Sequence, residues 1–479
     1  MKRRPSELRS VLDQLDREHL LRQRRTIDQF VEPGSRVAAV VDGRPLVDFS
    51  SNDYLGLARH PAVAAAMSEC AERCGSGSGA SHLVTGHGAE HSLLEEELAA
   101  FTGRERALLF STGYMANLAV MSTLAGRGET VLLDRLSHAS LIDGGLLSGA
   151  RFKRFPHADA HAADSALTEH SDTTSVIATD GVFSMDGDVA PLADLARVSK
   201  SHDAWLIVDD AHGLGVIGES GRGAVEHFGL NPDAVPVLVG TLGKAFGSFG
   251  AFVAGSAELI ELLMQKARSY IYTTALPQPV AAASRKALEI AQRETWRRER
   301  VLALAARFRS AAGQLGVPLL TTGVGTTGTA LTGIVAVGTR PTGAALTRTA
   351  LTRTALTGAA LTGAALTGTA LTGTALTGTA LTGTALTGTA PAGTAPAPTR
   401  AAQPLTPIQP VLLGTSEAAL HAQHHLHAAG FCVVAIRPPT VPQGSARLRV
   451  TLSAAHTEAQ VDELVETLSR FCAAQNMVS

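Results

Sequence analysis

The chain has 479 residues and a mass of 49.6 kDa, room for two or three domains, since single cores rarely grow past about 250–300 residues. With 41 Lys and Arg against 43 Asp and Glu, the formal charge of −2 argues against a nucleic-acid binder and against a polybasic membrane adaptor. Cys70, Cys74, Cys432 and Cys472 are too few for a disulfide framework and show no CxxC spacing, so a reducing, cytoplasmic location is expected.

In chain order, residues 1–49 open with Met1-Lys2-Arg3-Arg4-Pro5 and stay charged through Arg25, which predicts a helical arm with no apolar targeting stretch. From 50 to 280, apolar runs at Ala107–Phe110, Thr130–Leu133, Ser175–Ala178, Trp205–Val208 and Val235–Val239 read as buried strands. None approaches the roughly 20 apolar residues of a membrane helix. Helical patterns at Asn117–Leu124 and Leu192–Lys200 lie between them. Such alternation predicts an α/β domain whose mainly parallel sheet is flanked by helices on both faces. A long helical stretch, Val280–Leu315, follows. Residues 281–320 and 404–479 are expected to form a smaller α+β domain, with strands at Gln409–Leu413, Cys432–Ile436 and Ala446–Thr451 and a helix at Glu458–Phe471.

Between the two parts of that small domain, residues 321–403 become Ala, Leu, Thr and Gly almost without charge. Leucine returns every five residues from Leu346 to Leu386. A step of five advances about 140° around an α-helix and alternates faces on a strand, so neither gives a stripe. The TALTG unit resembles that of pentapeptide-repeat proteins, which would make the insert β-helix-like. It lacks the Asn or Asp usual before the central Leu, and the composition favours a tandem expansion carried as a disordered surface loop.

Ligands of open α/β sheets sit beyond the carboxyl ends of the strands. Three strand ends here carry chemistry. Ser111-Thr112-Gly113-Tyr114 opens a helix after a strand, a junction whose free N–H groups can seat a phosphate. Val208-Asp209-Asp210-Ala211-His212 ends a strand in a carboxylate with a histidine three residues on, able to hold a proton on a heterocyclic nitrogen, to ligate a metal or to cap a turn. Lys244 lies in Gly243-Lys244-Ala245-Phe246-Gly247, where an amine is costly unless paired, depressed in pKa or bound as a Schiff base. An anion seat, an acid and an imine-forming amine together are the set that pyridoxal 5′-phosphate requires.

These residues, with Ser51-Asn52-Asp53-Tyr54-Leu55-Gly56-Leu57, Asp134-Arg135-Leu136-Ser137-His138-Ala139-Ser140 and Gly181-Val182-Phe183-Ser184-Met185-Asp186-Gly187-Asp188, resemble the α-oxoamine synthases. That family consists of fold-type-I pyridoxal-phosphate enzymes that join an amino acid to an acyl thioester with loss of CO2. The likeness spans about residues 10–320 and 405–475, with no counterpart for the repeat. The tail Ala435-Ile436-Arg437-Pro438-Pro439-Thr440-Val441-Pro442, followed by Ala446-Arg447-Leu448-Arg449, looks most like the biotin-pathway branch, which takes L-alanine and a pimeloyl thioester.

The resemblance implies roles for individual residues. Lys244 would bind the cofactor and remove the Cα proton, Asp209 pair with the ring nitrogen, His212 with the ring hydroxyl, and His138 stack on the ring. Gly113, Tyr114, Ser184 and Thr241 would line the cofactor and its phosphate. Thr273 or Thr274 would reach the phosphate of a partner subunit, implying a homodimer with shared sites. Asn52 and Arg449 would hold the amino-acid carboxylate; Arg22 and Thr440, with Arg437 nearby, would meet the acyl substrate. Leu21–Arg25 offers Arg22, Arg24 and Arg25 for that task, or only a solvated helix face. The thioester is carried by CoA or by an acyl carrier protein. Three other readings compete: a sister enzyme using glycine or serine, a repeat-bearing scaffold with an inactive body, and a metal hydrolase using His138, Asp209 and His212. The last leaves Lys244 unexplained, and no metal is expected.

Overall fold

The computed structural model describes residues 8–22, 24–30, 38–169, 175–323, 331–333 and 405–476. In chain order its strands are β1 Ile27–Phe30, β2 Ala38–Val41, β3 Arg44–Asp48, β4 Arg106–Phe110, β5 Thr130–Asp134, β6 Arg151–Phe155, β7 Ser175–Asp180, β8 Trp205–Asp209, β9 Val237–Thr241, β10 Ala251–Gly255, β11 Thr321–Gly323, β12 Leu331–Gly333, β13 Ile408–Gly414, β14 Phe431–Cys432, β15 Val434–Ile436 and β16 Ala446–Thr451. Seven of these form the central sheet, in the order β4-β10-β9-β8-β7-β5-β6. β6, β5, β7, β8 and β9 pair in parallel, and only β10 runs against its neighbours.

Successive side chains on a strand point to opposite faces, and both faces here are apolar. Leu132, Ile177, Leu206 and Val208 join one buried cluster, while Val131, Leu133, Val176 and Ile207 join another. The register sets Asp180 of β7 directly beside Asp209 of β8, so two carboxylates share the carboxyl end of the sheet.

Several elements differ from the sequence expectation. The strand expected at Val235–Val239 begins at Val237, because Pro236 has no N–H to give a ladder. The helical stretch Val280–Leu315 is two helices, Gln278–Arg293 and Trp296–Gln314, interrupted at Glu294 and Thr295. The arm over residues 1–49 is helical at Leu8–Arg17 and then carries β1, β2 and β3. β2 and β3 are joined by Asp42-Gly43, both at positive φ (51° and 74°), the pair that a two-residue hairpin turn demands. β14 adds to β3 in parallel, so this sheet joins the arm to the C-terminal segment. β13, β16 and β15 form an antiparallel sheet next to it in sequence, and the helix Glu458–Asn476 completes the segment.

Residues 1–336 and 403–479 make up one compact unit and 337–402 a second. The expectation that 321–403 is disordered or β-helix-like lies outside the described residues, apart from β11 and β12, which pair antiparallel.

Candidate active site

Two runs of hydrogen bonds meet at the carboxyl end of the sheet. The first starts at Lys244, in the turn after β9. Its Nζ donates to His212 Nε2 at 2.8 Å, His212 Nδ1 donates to the Tyr54 hydroxyl at 2.6 Å, and Tyr54 donates to Asn52 Oδ1 at 3.2 Å. Arg449, on β16, donates from Nη2 to the same Asn52 oxygen at 3.0 Å and from Nε to the Ser184 carbonyl at 2.6 Å. The amine and the guanidinium are therefore linked through His212, Tyr54 and Asn52.

The second run starts at Asp209, the last residue of β8. Its Oδ2 accepts from Asn117 Nδ2 at 2.6 Å, and Asn117 also donates to Ser140 Oγ at 2.8 Å. Ser140 lies 2.7 Å from His138 Nδ1 and donates to it, while the His138 backbone N–H donates to Asp180 Oδ2 at 2.9 Å. His138 caps the helix Ala139–Ser148.

Burial sets the protonation states. It lowers Lys244 to about 8; Asp209 pulls the other way, and Arg449 presses further down. His212 is pushed well below its usual value by burial and then by the Lys244 and Arg449 cations, so it is a neutral ring able to accept from Lys244. His138 is lowered by burial against the pull of Asp209. Asp180 is raised well above the carboxylate range by burial and by the adjacent Asp209. Both nitrogens of His212 are engaged within the chain, by Lys244 and Tyr54.

Thr112 caps the helix Gly113–Leu124 by accepting from Met115 N, and a side chain at Gly113 would meet nothing within 4 Å. That helix start is open, as an anion seat must be. Tyr114 lies beside it, hydrogen-bonded to Asp143. Thr241, at the end of β9, donates to the Gly250 carbonyl at 3.1 Å.

Thr273 and Thr274 stand apart: among the described residues no hydrogen bond joins them to Lys244, Asp209 or His138. Their segment is tied instead to residues 78–91, through Ala275 N to the Ala80 carbonyl and through Ser78 Oγ and His91 Nε2 to the Leu276 carbonyl. Arg22 donates to Thr440 Oγ1 at 3.4 Å, and Arg437 donates to the His19 carbonyl. Arg25 turns to another neighbour, the Cys432 thiol. Sequence reasoning missed Tyr54, Asn117, Ser140 and Asp180. Tyr54 and Ser140 lie within the motifs quoted above, but nothing in their type marks them as connectors.

Comparison with known proteins adds the family. The model for aminotransferase class I and II matches residues 44–326. The 8-amino-7-oxononanoate synthase of Methylococcus capsulatus is 49% identical, over 92% of this chain and 93% of that one. That of Thioalkalivibrio sulfidiphilus is 48% identical over 97% of each. The chain belongs to the 8-amino-7-oxononanoate synthases. Among solved structures, the 8-amino-7-oxononanoate synthase of Francisella tularensis is similar with a TM-score of 0.64 and 26% identity, over 90% of this chain and 99% of that one. The serine palmitoyltransferase of Sphingomonas wittichii is similar with a TM-score of 0.76 and 26% identity, over 99% and 98%. A model for pentapeptide repeats, eight copies, matches residues 356–389. Of the two readings of the repeat, the pentapeptide likeness is thus the one a family model matches. The family uses pyridoxal phosphate, and the residues here fit it: a buried amine depressed to about 8, a carboxylate at the neighbouring strand end, and an open helix start.

Proposed function

We propose that the protein condenses L-alanine with a pimeloyl thioester, releasing CO2 and the free thiol and forming 8-amino-7-oxononanoate for biotin synthesis. The observation that carries this reading is the run from Lys244 to Arg449, which couples an amine poised to lose its proton near neutral pH to a guanidinium suited to a carboxylate. Pyridoxal phosphate, when bound, supplies the electron sink that makes the Cα–H of an amino acid removable.

The chain's own residues then have distinct tasks. Lys244 Nζ would hold the cofactor and, when free, could take the Cα proton. Asp209, its carboxylate fixed by Asn117, would hold a proton on the ring nitrogen, and His212 would pair with the ring hydroxyl. His138, oriented by Ser140 and Asp180, would cover the ring. Gly113, Tyr114, Ser184 and Thr241 line the cofactor, and Thr273 or Thr274 reaches the phosphate of a second subunit in a homodimer. Arg449 and Asn52 receive the alanine carboxylate. Arg22, Arg437 and Thr440, brought together by the arm and the 437–440 loop, meet the acyl thioester, whether carried on CoA or on an acyl carrier protein.

One assay tests the reading. Protein loaded with pyridoxal phosphate is mixed with pimeloyl-CoA or a pimeloyl-acyl carrier protein and alanine, glycine or serine, and the product is identified by mass. The decarboxylated condensation product is expected with alanine, and none with Lys244→Ala. Preference for glycine or serine would transfer the protein to a sister activity; no product with any of them would overturn the reading.

A further inference from the structure

His157 lies outside both runs of hydrogen bonds, yet touches the supports of each. It follows β6, with its Nδ1 at 2.9 Å from Asp134 Oδ1 and its Nε2 at 2.8 Å from Asp188 Oδ2. Both carboxylates are buried, and the ring packs edge-on against Phe183 with centroids 4.4 Å apart. Asp134 ends β5 and shapes the turn into His138: its Oδ1 also accepts from Leu136 N, and its Oδ2 accepts from Ala158 N. Asp188 belongs to the loop that closes on itself through Phe183 N to the Asp188 carbonyl and the Val182–Val189 bridge. That loop carries Ser184, whose carbonyl receives Arg449.

Asp188 Oδ1 is buried with no hydrogen-bond partner among the described residues. His157 is therefore what balances this carboxylate, and a buried carboxylate needs a charged partner or gives up its own charge. To face an acceptor on each side, the ring must carry a proton on both nitrogens. Among the described residues, the charged groups facing it are Asp134 and Asp188.

We propose that His157 is a positioning residue for the reaction, an imidazolium clamped between Asp134 and Asp188 that fixes the His138 turn relative to the Ser184 loop and hence to Arg449. The inference rests on the roles assigned above to His138 and Arg449. Burial opposes the charge, but the two carboxylates outweigh it and hold the ring's pKa at about 10, so it stays charged across the working range.

His157→Gln is the test, because glutamine keeps hydrogen-bonding capacity without charge. The clamp acts on the loop under Arg449 while Lys244, Asp209 and His138 keep their own partners. The KM for alanine should therefore rise about tenfold, and cofactor affinity, which Ser184 and His138 also serve, should fall by a smaller factor. In histidine-labelled protein without cofactor, the ¹⁵N resonances that vanish in the variant should report a doubly protonated ring at pH 8. An unchanged KM, an equal loss of cofactor affinity, or a neutral ring at pH 8 would each overturn the proposal. If His157→Gln does not fold, Asp188→Asn carries the same kinetic measurements with the imidazole still in place. Arg449→Gln measured alongside separates the two readings. An unchanged alanine KM there removes the carboxylate assignment on which the clamp depends. A raised KM there with no change in His157→Gln removes the clamp alone.

Discussion

An amine acts as nucleophile or base only when neutral, so the reactivity of Lys244 is set by what surrounds it. Burial is the largest influence and lowers it from an ordinary 10.5 to about 8, with Asp209 resisting and Arg449 assisting. In protein stripped of cofactor, labelling of Lys244 by a small aldehyde and a reductant, mapped by mass, should be half-maximal near pH 8. Removing the resisting charge with Asp209→Asn should move that midpoint lower still. A midpoint near 10.5 in the unaltered protein would mean the amine is solvated and the burial argument is wrong. Lys244, Asp209 and His212 were legible in the sequence because each is an expensive residue at the end of an apolar run, where the bland alternatives fit poorly. Tyr54, Asn117 and Ser140 were not. A tyrosine, an asparagine and a serine are ordinary core or capping residues until the fold shows that each bridges two members of the site. His157 had even less signal, since its meaning depends on Asp134 at the end of β5 and Asp188 in the loop after β7 arriving on its two sides.

At the scale of elements, the glycine-rich setting of Lys244 has a physical reason. Gly247 closes the turn that presents Lys244, donating from its N–H to the Lys244 carbonyl at 2.8 Å. It does so at φ +61°, and a Cβ there would lie 2.2 Å from Ala58 N and 2.5 Å from the Leu57 carbonyl carbon. Both obstacles are backbone, so no side chain can swing aside. Gly247→Ala should cost about 2–4 kcal/mol in denaturant unfolding and weaken cofactor retention, because the strained turn can relax only by moving Lys244. A loss under about 1 kcal/mol would show that the Leu57–Ala58 segment yields more easily than its contacts imply. The strands of the central sheet that sequence patterning found share one property, a continuous apolar run buried on both faces. Each of those it missed has its own reason. β6 is Arg-Phe-Lys-Arg-Phe, an edge strand whose charges suit solvent and discourage further pairing. β10 is a short Ala-Phe-Val-Ala-Gly run after a glycine-rich turn, and β1 to β3 belong to an arm whose charge reads as helix surface.

For the whole molecule, the open matter is what the repeat contributes to an enzyme that carries all its proposed chemistry elsewhere. Every residue assigned to cofactor or substrate lies in the unit formed by 1–336 and 403–479. No hydrogen bond of the two runs described above passes through 337–402. Removing 337–402 would shorten the connection from Gly333 to Leu405 to roughly a fourteenth of its length. Close to four halvings return about 2 kcal/mol of loop-closure entropy, at about 0.6 kcal/mol each. The shortened protein should therefore melt no lower than the full chain, and its kcat/KM for alanine and pimeloyl-CoA should stay within about twofold. The two measurements separate the alternatives. A lower melting temperature with unchanged turnover would mean that the pentapeptide-like segment packs against and stabilises the enzyme body. A fall in turnover at unchanged stability and oligomeric state would mean that the segment takes part in delivering the acyl thioester. Either result would overturn the view that this chain tolerates the repeat rather than using it.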